Sequence, residues 1–158
     1  MMIRIGDNFP TTNITVLDKQ GQRNTTSSDL CKDKKVVLFA LPGAFTPTCS
    51  QSHLPGYITL FDEFIAKGVD LIACLSVNDA FVMAAWAKEQ NAENITMIAD
   101  GGAALTKALG LEMDTGDFGG IRSQRYAMVI EDNKITQLNI EAPKSFEVSK
   151  AATLLTLV

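Results

Sequence analysis

Uninterrupted runs of apolar residues are the strongest pattern along this chain. Two long runs, Val36–Leu41 and Val69–Val77, carry almost no charge, and a shorter run covers Ile95–Ala99. Continuous apolar runs of this length are typical of strands that a sheet buries on both faces. A fourth segment, Ile14–Leu17, precedes a glycine-containing turn and predicts a short strand near the N-terminus.

Apolar residues recur at helical spacing between these strands. Thr46 and Pro47 predict the start of the first helix, with Thr46 as its N-cap and Pro47 at its first helical position. Pro55 predicts a kink in this helix, and Gly68 predicts its C-terminal end. A second helix is predicted to begin at Asn78-Asp79. Two further helices are predicted over Ala103–Leu109 and Phe146–Leu157.

The C-terminal third predicts a β-hairpin. Apolar and polar residues alternate in Arg125–Ile130 and Lys134–Asn139, which flank a turn at Asp132-Asn133. The preceding segment, Glu112–Ser123, is rich in glycine and is predicted to be irregular. Two β-α-β units followed by a hairpin and a helix predict an α/β fold of the thioredoxin-like type, with a central mixed β-sheet flanked by helices. No repeat or linker divides the chain, so a single domain over residues 1–158 is expected.

Composition and charge exclude several classes of function. The net charge is −4, so nothing indicates a general nucleic-acid or membrane surface. The segment Val36–Phe61 contains no Asp, Glu, Lys or Arg, but three prolines and a polar cluster interrupt it, which excludes a membrane span. Met1–Thr12 has no apolar targeting signal, so a cytoplasmic location is expected.

The three cysteines indicate thiol chemistry. Their odd number and the absence of a signal peptide argue against a secreted disulfide framework. The chain has no C-x-x-C pair and only one histidine, so no zinc pattern is present, and we expect neither a metal nor another cofactor.

Cys49 has the most reactive predicted position. It follows the buried strand Val36–Leu41 and lies in the first turn of the next helix, where free N–H groups and the helix dipole favour a thiolate. The dipole contributes up to about 2 kcal/mol. Lowering a thiol pKa from about 8.5 to about 6 needs roughly 3.4 kcal/mol, so a cation must help. Arg125 is the candidate, and an inert buried thiol is the alternative for Cys49.

Four segments of the chain resemble the peroxiredoxins. Pro42–Ser50 is similar to the peroxiredoxin active-site loop, P-x-x-x-T-x-x-C. The segments Cys49–Tyr57, Ser76–Met83 and Arg122–Val129 resemble the type-five (type II) branch of that family. The similarity extends from about Gly6 to the final helix.

This resemblance implies a thiol peroxidase that reduces hydrogen peroxide and alkyl hydroperoxides, with roles in antioxidant defence and cell redox homeostasis. Cys49 would attack the peroxide, Thr46 would hydrogen-bond the peroxide and the sulfur, and Arg125 would hold the thiolate and the substrate oxygens. The remaining expected site residues shield or line the pocket: Pro42, Gly43, Thr48 and, on its apolar side, Phe118. The family resemblance also implies a homodimer.

The resolving thiol is less well defined. Attack on peroxide leaves a sulfenic acid at Cys49, which another thiol must reduce. The region Phe146–Ser149 lacks the C-terminal cysteine of some relatives. Cys74 has the spacing from Cys49 found in plant-like members, but it lies within an apolar strand, so an external thiol is favoured, either glutathione with glutaredoxin or thioredoxin. Cys31 has no expected role, and His53 is expected to pack or lie on a helix surface.

Two other functions fit parts of the sequence. A thioredoxin-type disulfide reductase matches the fold, but it needs a C-x-x-C pair, and Thr46 occupies the first cysteine position. A non-catalytic redox sensor would use Cys49 in the same way as the peroxidase. Turnover separates the two, because a sensor stops after about one equivalent of peroxide while an enzyme with a thiol reductant continues.

Overall fold

A seven-stranded mixed β-sheet forms the centre of the molecule in the computed structural model, which describes all residues from Met1 to Val158. The strands of the chain are β1 Asn13–Asp18, β2 Gly21–Thr26, β3 Lys35–Ala40, β4 Leu71–Ser76, β5 Thr96–Ala99, β6 Glu112–Asp114, β7 Ile121–Ser123, β8 Tyr126–Glu131 and β9 Lys134–Ile140. The order in the central sheet is β2-β1-β5-β4-β3-β8-β9, and a separate two-stranded sheet contains β6 and β7.

Strands β3, β4 and β5 are parallel, and the strands on either side of them run antiparallel. The α-helices are α1 Ser27–Cys31, α2 Leu54–Thr59, α3 Phe61–Ala66, α4 Ala80–Glu89, α5 Ala104–Leu109 and α6 Ala151–Leu155. This arrangement confirms the predicted α/β class with a central mixed sheet flanked by helices. None of these helices has the length and hydrophobicity that crossing a membrane requires.

The central strand β3 is buried on both faces. Successive side chains of a strand point to opposite faces, and β3 accordingly divides its residues between two core clusters. Val37 and Phe39 belong to the first cluster with Cys49, whereas Val36 and Leu38 belong to the second. The continuous apolar run of β3 thus fills both halves of the core.

Three local elements differ from the predicted ones. Strand β2 is almost entirely polar and lies at the sheet edge, so hydrophobic periodicity gave no sign of it. The segment Glu112–Ser123, predicted as irregular, contains β6 and β7. The final helix was predicted from Phe146 but begins only at Ala151, because hydrogen bonds to Glu141 hold the preceding residues outside a helix.

The helix that contains Cys49 is also irregular. Its first residues are Pro47 and Thr48, as predicted, and a π-helical segment then covers Cys49–His53. In this segment the N–H group of Leu54 donates to the carbonyl of Cys49, a wider turn than in an α-helix. Thr46 stands at the predicted N-cap position, where its carbonyl accepts from the Ser50 N–H group, but its hydroxyl donates to the carbonyl of Gly43 and accepts from no helix N–H group.

Candidate active site

The loop between β3 and the Cys49 helix holds the thiol at the carboxyl end of the central strand. Cys49 is fully buried there. The Thr46 hydroxyl donates to the Gly43 carbonyl at 2.6 Å, which closes the turn just before the cysteine. On its other side, the Ala44 N–H group donates to the side-chain oxygen of Asn78 at 3.0 Å. These two bonds tie the loop both to itself and to the segment after β4.

Arg125 contacts the sulfur directly. Tyr126, the next residue, pairs with Ala40 at the end of β3, so the sheet register places Arg125 beside the start of the Cys49 loop. One guanidinium nitrogen, Nη2, donates to Cys49 Sγ at 3.0 Å, and the other, Nη1, lies 2.7 Å from His53 Nδ1. Arg125 forms no ion pair with a carboxylate. Its positive charge therefore remains available to a thiolate.

His53 orients this arginine as a neutral acceptor. It is fully buried, and its Nε2 lies 3.2 Å from the carbonyl oxygen of Ser149. Since a carbonyl only accepts and a guanidinium only donates, Nε2 carries the proton and Nδ1 accepts from Arg125. Burial, together with the charge of Arg125, lowers the pKa of His53 to about 3. The imidazole packs on Phe39, with ring centroids 5.0 Å apart.

The expected packing role of His53 is therefore present, together with a polar role that sequence reasoning missed. The available signal was its position four residues after Cys49, which places the two residues about one helical turn apart. The partner Ser149, in contrast, is distant in the sequence.

A pocket of about 630 Å³ opens beside this cluster. Its lining comes from the site loop, from β6, from the residues before β8 and from the segment after β9: Pro42, Thr48, Met113, Gln124, Arg125, Glu141, Ala142, Pro143, Lys144, Ser145 and Phe146. Of the expected residues, Pro42, Thr48 and Arg125 line this pocket. Gly43 is not among the lining residues, and its carbonyl accepts from the Thr46 hydroxyl.

Phe118 lies outside the pocket, so the single chain does not show the predicted apolar wall at this residue. Its side chain is 76% exposed. It belongs to a turn between β6 and β7 in which both the N–H group and the hydroxyl of Thr115 donate to the carbonyl of Gly120. The residue that covers Arg125 instead is Phe146, whose ring centroid lies 5.7 Å from Arg125 Cζ.

The other two cysteines are buried and free. Burial raises the pKa of Cys74 well above its ordinary value, and negative charge at Cys49 raises it further. Burial raises the pKa of Cys31 to about 12. Both thiols are therefore protonated at neutral pH and are poor nucleophiles. No group of three or more His, Cys, Asp or Glu side chains converges in a way that could hold a metal ion.

Comparison with known proteins gives the family. The sequence model of the Redoxin family matches residues 4–155. The fold, the Cys49–Arg125 contact and this match agree, and the chain belongs to the peroxiredoxins, thiol peroxidases of the thioredoxin-like superfamily.

Three relatives illustrate the similarity. The chain is 46% identical over 156 residues to peroxiredoxin-2B of Arabidopsis thaliana, covering 97% of this chain and 96% of that protein. It is 61% identical to reduced Prx3 from Vibrio vulnificus, solved in complex with H2O2, with a TM-score of 0.96 and 99% of each chain covered. For peroxiredoxin 5 from Alvinella pompejana the identity is 37% and the TM-score 0.85, with 98% of this chain and 96% of that one covered.

We predict that Arg125→Met lowers the fraction of Cys49 present as thiolate at neutral pH and slows its reaction with peroxide by about a hundredfold. Arg125→Lys keeps the charge but lacks the planar guanidinium that donates to the sulfur and to His53 from two separate nitrogens. Its thiolate fraction and its rate should therefore fall between those of Arg125→Met and the wild type. Ultraviolet thiolate absorbance against pH measures the first effect, because the raised pKa values of Cys31 and Cys74 keep those thiols protonated.

Arg23→Met is the control, since Arg23 pairs with Asp18 on the surface. If Arg125→Met kept both the wild-type absorbance curve and the wild-type rate, Arg125 would not be the cation that stabilises the thiolate.

His53 also generates a prediction about acid stability. Its pKa is about 3 in the folded chain, whereas in an unfolded chain it returns to the ordinary histidine value of 6.5, so the unfolded chain binds a proton that the folded chain does not. Stability should therefore fall as the pH drops below 6.5, by about 2 kcal/mol between pH 7 and pH 5. His53→Gln should lose this dependence. Urea unfolding at both pH values measures it, and an equally steep loss in both proteins would contradict the prediction.

Proposed function

We propose that this peroxiredoxin reduces hydrogen peroxide and alkyl hydroperoxides with Cys49 as the nucleophile. The observation that carries the proposal is the 3.0 Å contact between Arg125 Nη2 and Cys49 Sγ. It places a guanidinium without a carboxylate partner against the sulfur, beside a pocket open to small molecules. The complex of the 61% identical Vibrio vulnificus Prx3 with H2O2 supports the choice of substrate.

In the first step, the Cys49 thiolate attacks one peroxide oxygen. The S–O bond forms as the O–O bond breaks, and the sulfur loses two electrons. The attacked oxygen keeps its proton in the sulfenic acid, and the leaving hydroxide or alkoxide takes up a proton from solvent and departs as water or alcohol. The negative charge that grows on the leaving oxygen requires donors already in place. Arg125 and the N–H groups of the Cys49 turn supply them in this proposal. The Thr46 hydroxyl gives its proton to the Gly43 carbonyl and is left to accept from the peroxide O–H group, while both His53 nitrogens are already engaged.

An external thiol completes the cycle in this proposal. It attacks the sulfenic sulfur of Cys49, water leaves, and a second thiol then reduces the mixed disulfide and regenerates Cys49. Cys74 is a poor candidate for this step, because it is a buried thiol in β4, paired with Phe39 of β3 on one side and Met97 of β5 on the other. Glutathione with glutaredoxin, or thioredoxin, would serve. These systems keep cytosolic thiols reduced, so we propose a cytoplasmic location.

We also propose a homodimer. Three exposed phenylalanines lie on neighbouring segments: Phe45 in the site loop at 52%, Phe81 in the first turn of α4 at 84% and Phe118 in the turn between β6 and β7 at 76% exposure. Hydrogen bonds tie these segments together, from Ala44 to Asn78 and from Arg122 to the carbonyls of Val77 and Gly119. An exposed apolar cluster of this kind is typical of a surface that another protein covers.

A redox sensor remains the second candidate, because Cys49 would form a sulfenic acid in either case. The number of equivalents of peroxide consumed per chain, with glutathione and glutaredoxin in one series and thioredoxin in another, separates the two functions. Consumption of many equivalents supports the enzyme, while a stop near one supports the sensor and removes the proposal of turnover.

We predict that serine variants of the three cysteines differ sharply. Cys49→Ser should abolish peroxide reduction because it removes the nucleophile. Cys31→Ser should remain near normal, since Cys31 lies in α1 and in the other core cluster. Cys74→Ser should keep most turnover with glutathione and glutaredoxin, because small thiols reach the sulfenic acid without opening β4. Steady-state peroxide consumption measures all three.

Appreciable turnover in Cys49→Ser would remove the assignment of the nucleophile. Loss of turnover in Cys74→Ser, together with a Cys49–Cys74 peptide pair in mass spectrometry of the oxidised chain, would show that Cys74 resolves the sulfenic acid.

The dimer is tested by sedimentation. The wild type should sediment as a dimer, and Phe81→Asp should shift it towards monomer, because a charge in an apolar contact is costly. Ile65→Asp is the control, since Ile65 is 40% exposed on α3, away from these loops in the sequence. A wild type that stays monomeric at all accessible concentrations would exclude the dimer.

A further inference from the structure

The segment Ala142–Ser149, between β9 and α6, covers the cluster around Arg125. We name this segment the strap. Five residues at its N-terminal end line the pocket, and the Phe146 ring lies 5.1 Å from the His53 ring, centroid to centroid. The sequence predicts a helix from Phe146 onwards, whereas the strap contains no regular helix and α6 begins only at Ala151. Some interaction must therefore keep its N–H groups out of helical hydrogen bonds.

Glu141 supplies that interaction. Its Oε2 accepts from the Glu147 N–H group at 2.8 Å, from the Ser149 N–H group at 2.8 Å and from the Ser149 hydroxyl at 2.7 Å. The residue is only 8% exposed. Burial by itself would raise the pKa of Glu141, but the bonds from Ser149 and from the strap backbone lower it below its ordinary value. The carboxylate is thus ionised and buried, and its Oε2 is engaged with the far end of the strap.

The same strap residue holds the histidine of the site. The Ser149 carbonyl accepts from His53 Nε2 at 3.2 Å and from the Tyr57 hydroxyl at 2.7 Å. A continuous series of hydrogen bonds therefore runs from Glu141 through Ser149 and His53 to Arg125, and from Arg125 to the Cys49 sulfur. The His53 ring has one possible orientation between its two partners, because the Arg125 guanidinium can only donate and the Ser149 carbonyl can only accept.

We propose that Glu141 is a positioning residue for the thiol chemistry, which acts by fixing Ser149 so that His53 holds the Arg125 guanidinium against Cys49. The proposal deepens the proposed function and rests on Cys49 as the nucleophile. Its main readouts, however, come from the resting protein and need no turnover. A failure of the peroxidase proposal in the cysteine variants can therefore be distinguished from a failure here.

The variants are Glu141→Ala and Glu141→Gln. Alanine removes the acceptor of all three donors. Glutamine can direct its carbonyl oxygen to the same donors, because only one of the two carboxylate oxygens is used, and should rescue most of the effect. The matched control is Glu147→Gln, since the Glu147 carboxylate is 77% exposed and contacts only Lys150 on the surface.

His53 gives the decisive signal, because it is the only histidine of the chain. In the wild type and in Glu147→Gln, nitrogen NMR should show an imidazole with the proton on Nε2 that does not titrate near neutral pH. In Glu141→Ala this signal should change to a mixture of the two neutral tautomers, because the Ser149 carbonyl no longer fixes the proton on Nε2. The Cys49 thiolate absorbance at neutral pH should fall, and the rate with hydrogen peroxide should drop by about tenfold or more.

An unchanged His53 signal and thiolate absorbance in Glu141→Ala would overturn the proposal, even if the rate were lower, because Glu141 would then act by another route. If Glu141→Ala does not fold, Ser149→Ala removes the hydroxyl bond alone and should give a smaller change of the same kind. In that case, a His53 signal in folded Ser149→Ala that is identical to the wild-type signal would overturn the proposal.

Discussion

The attraction between the Arg125 guanidinium and the Cys49 sulfur is the interaction on which the rest of the site depends. A thiolate in a fully buried position loses its hydration, and a helix start alone does not compensate for that loss. A guanidinium 3.0 Å away does so only while no carboxylate neutralises it. The surrounding structure satisfies this condition, because the two ion pairs of the chain lie elsewhere on the surface.

Much of the fold could be predicted because its central strands are continuous apolar runs. Strands β3 and β4 contribute side chains to both core clusters, so nearly all of their residues are apolar and the sequence alone indicates that they are buried. The polar edge strand β2 and the strap could not be predicted in the same way. Strand β2 is defined by its pairing with β1, and the strap by bonds to Glu141, neither of which leaves a periodic pattern.

The candidate site shows the same division. Cys49, Thr46 and Arg125 stand in motifs that can be recognised locally, and the sheet register then brings Arg125 to the sulfur. The supporting contacts join residues far apart in the sequence, such as His53 to Ser149 and Trp86 to the Ser50 hydroxyl. Phe118 was placed by resemblance alone, and in the single chain it is exposed. Contacts between distant residues require the fold, and sequence spacing does not supply them.

The choice of histidine beside Arg125 has a physical reason. An arginine in a fixed orientation needs an acceptor, and a carboxylate would be the usual one. A carboxylate 2.7 Å from Nη1 would cancel the charge that the sulfur needs, and a protonated histidine would repel the arginine. Burial and Arg125 together lower the pKa of His53 to about 3, so the imidazole stays neutral. It orients the guanidinium without cancelling its positive charge. Glu141, whose carboxylate binds the strap, holds the histidine in place through Ser149.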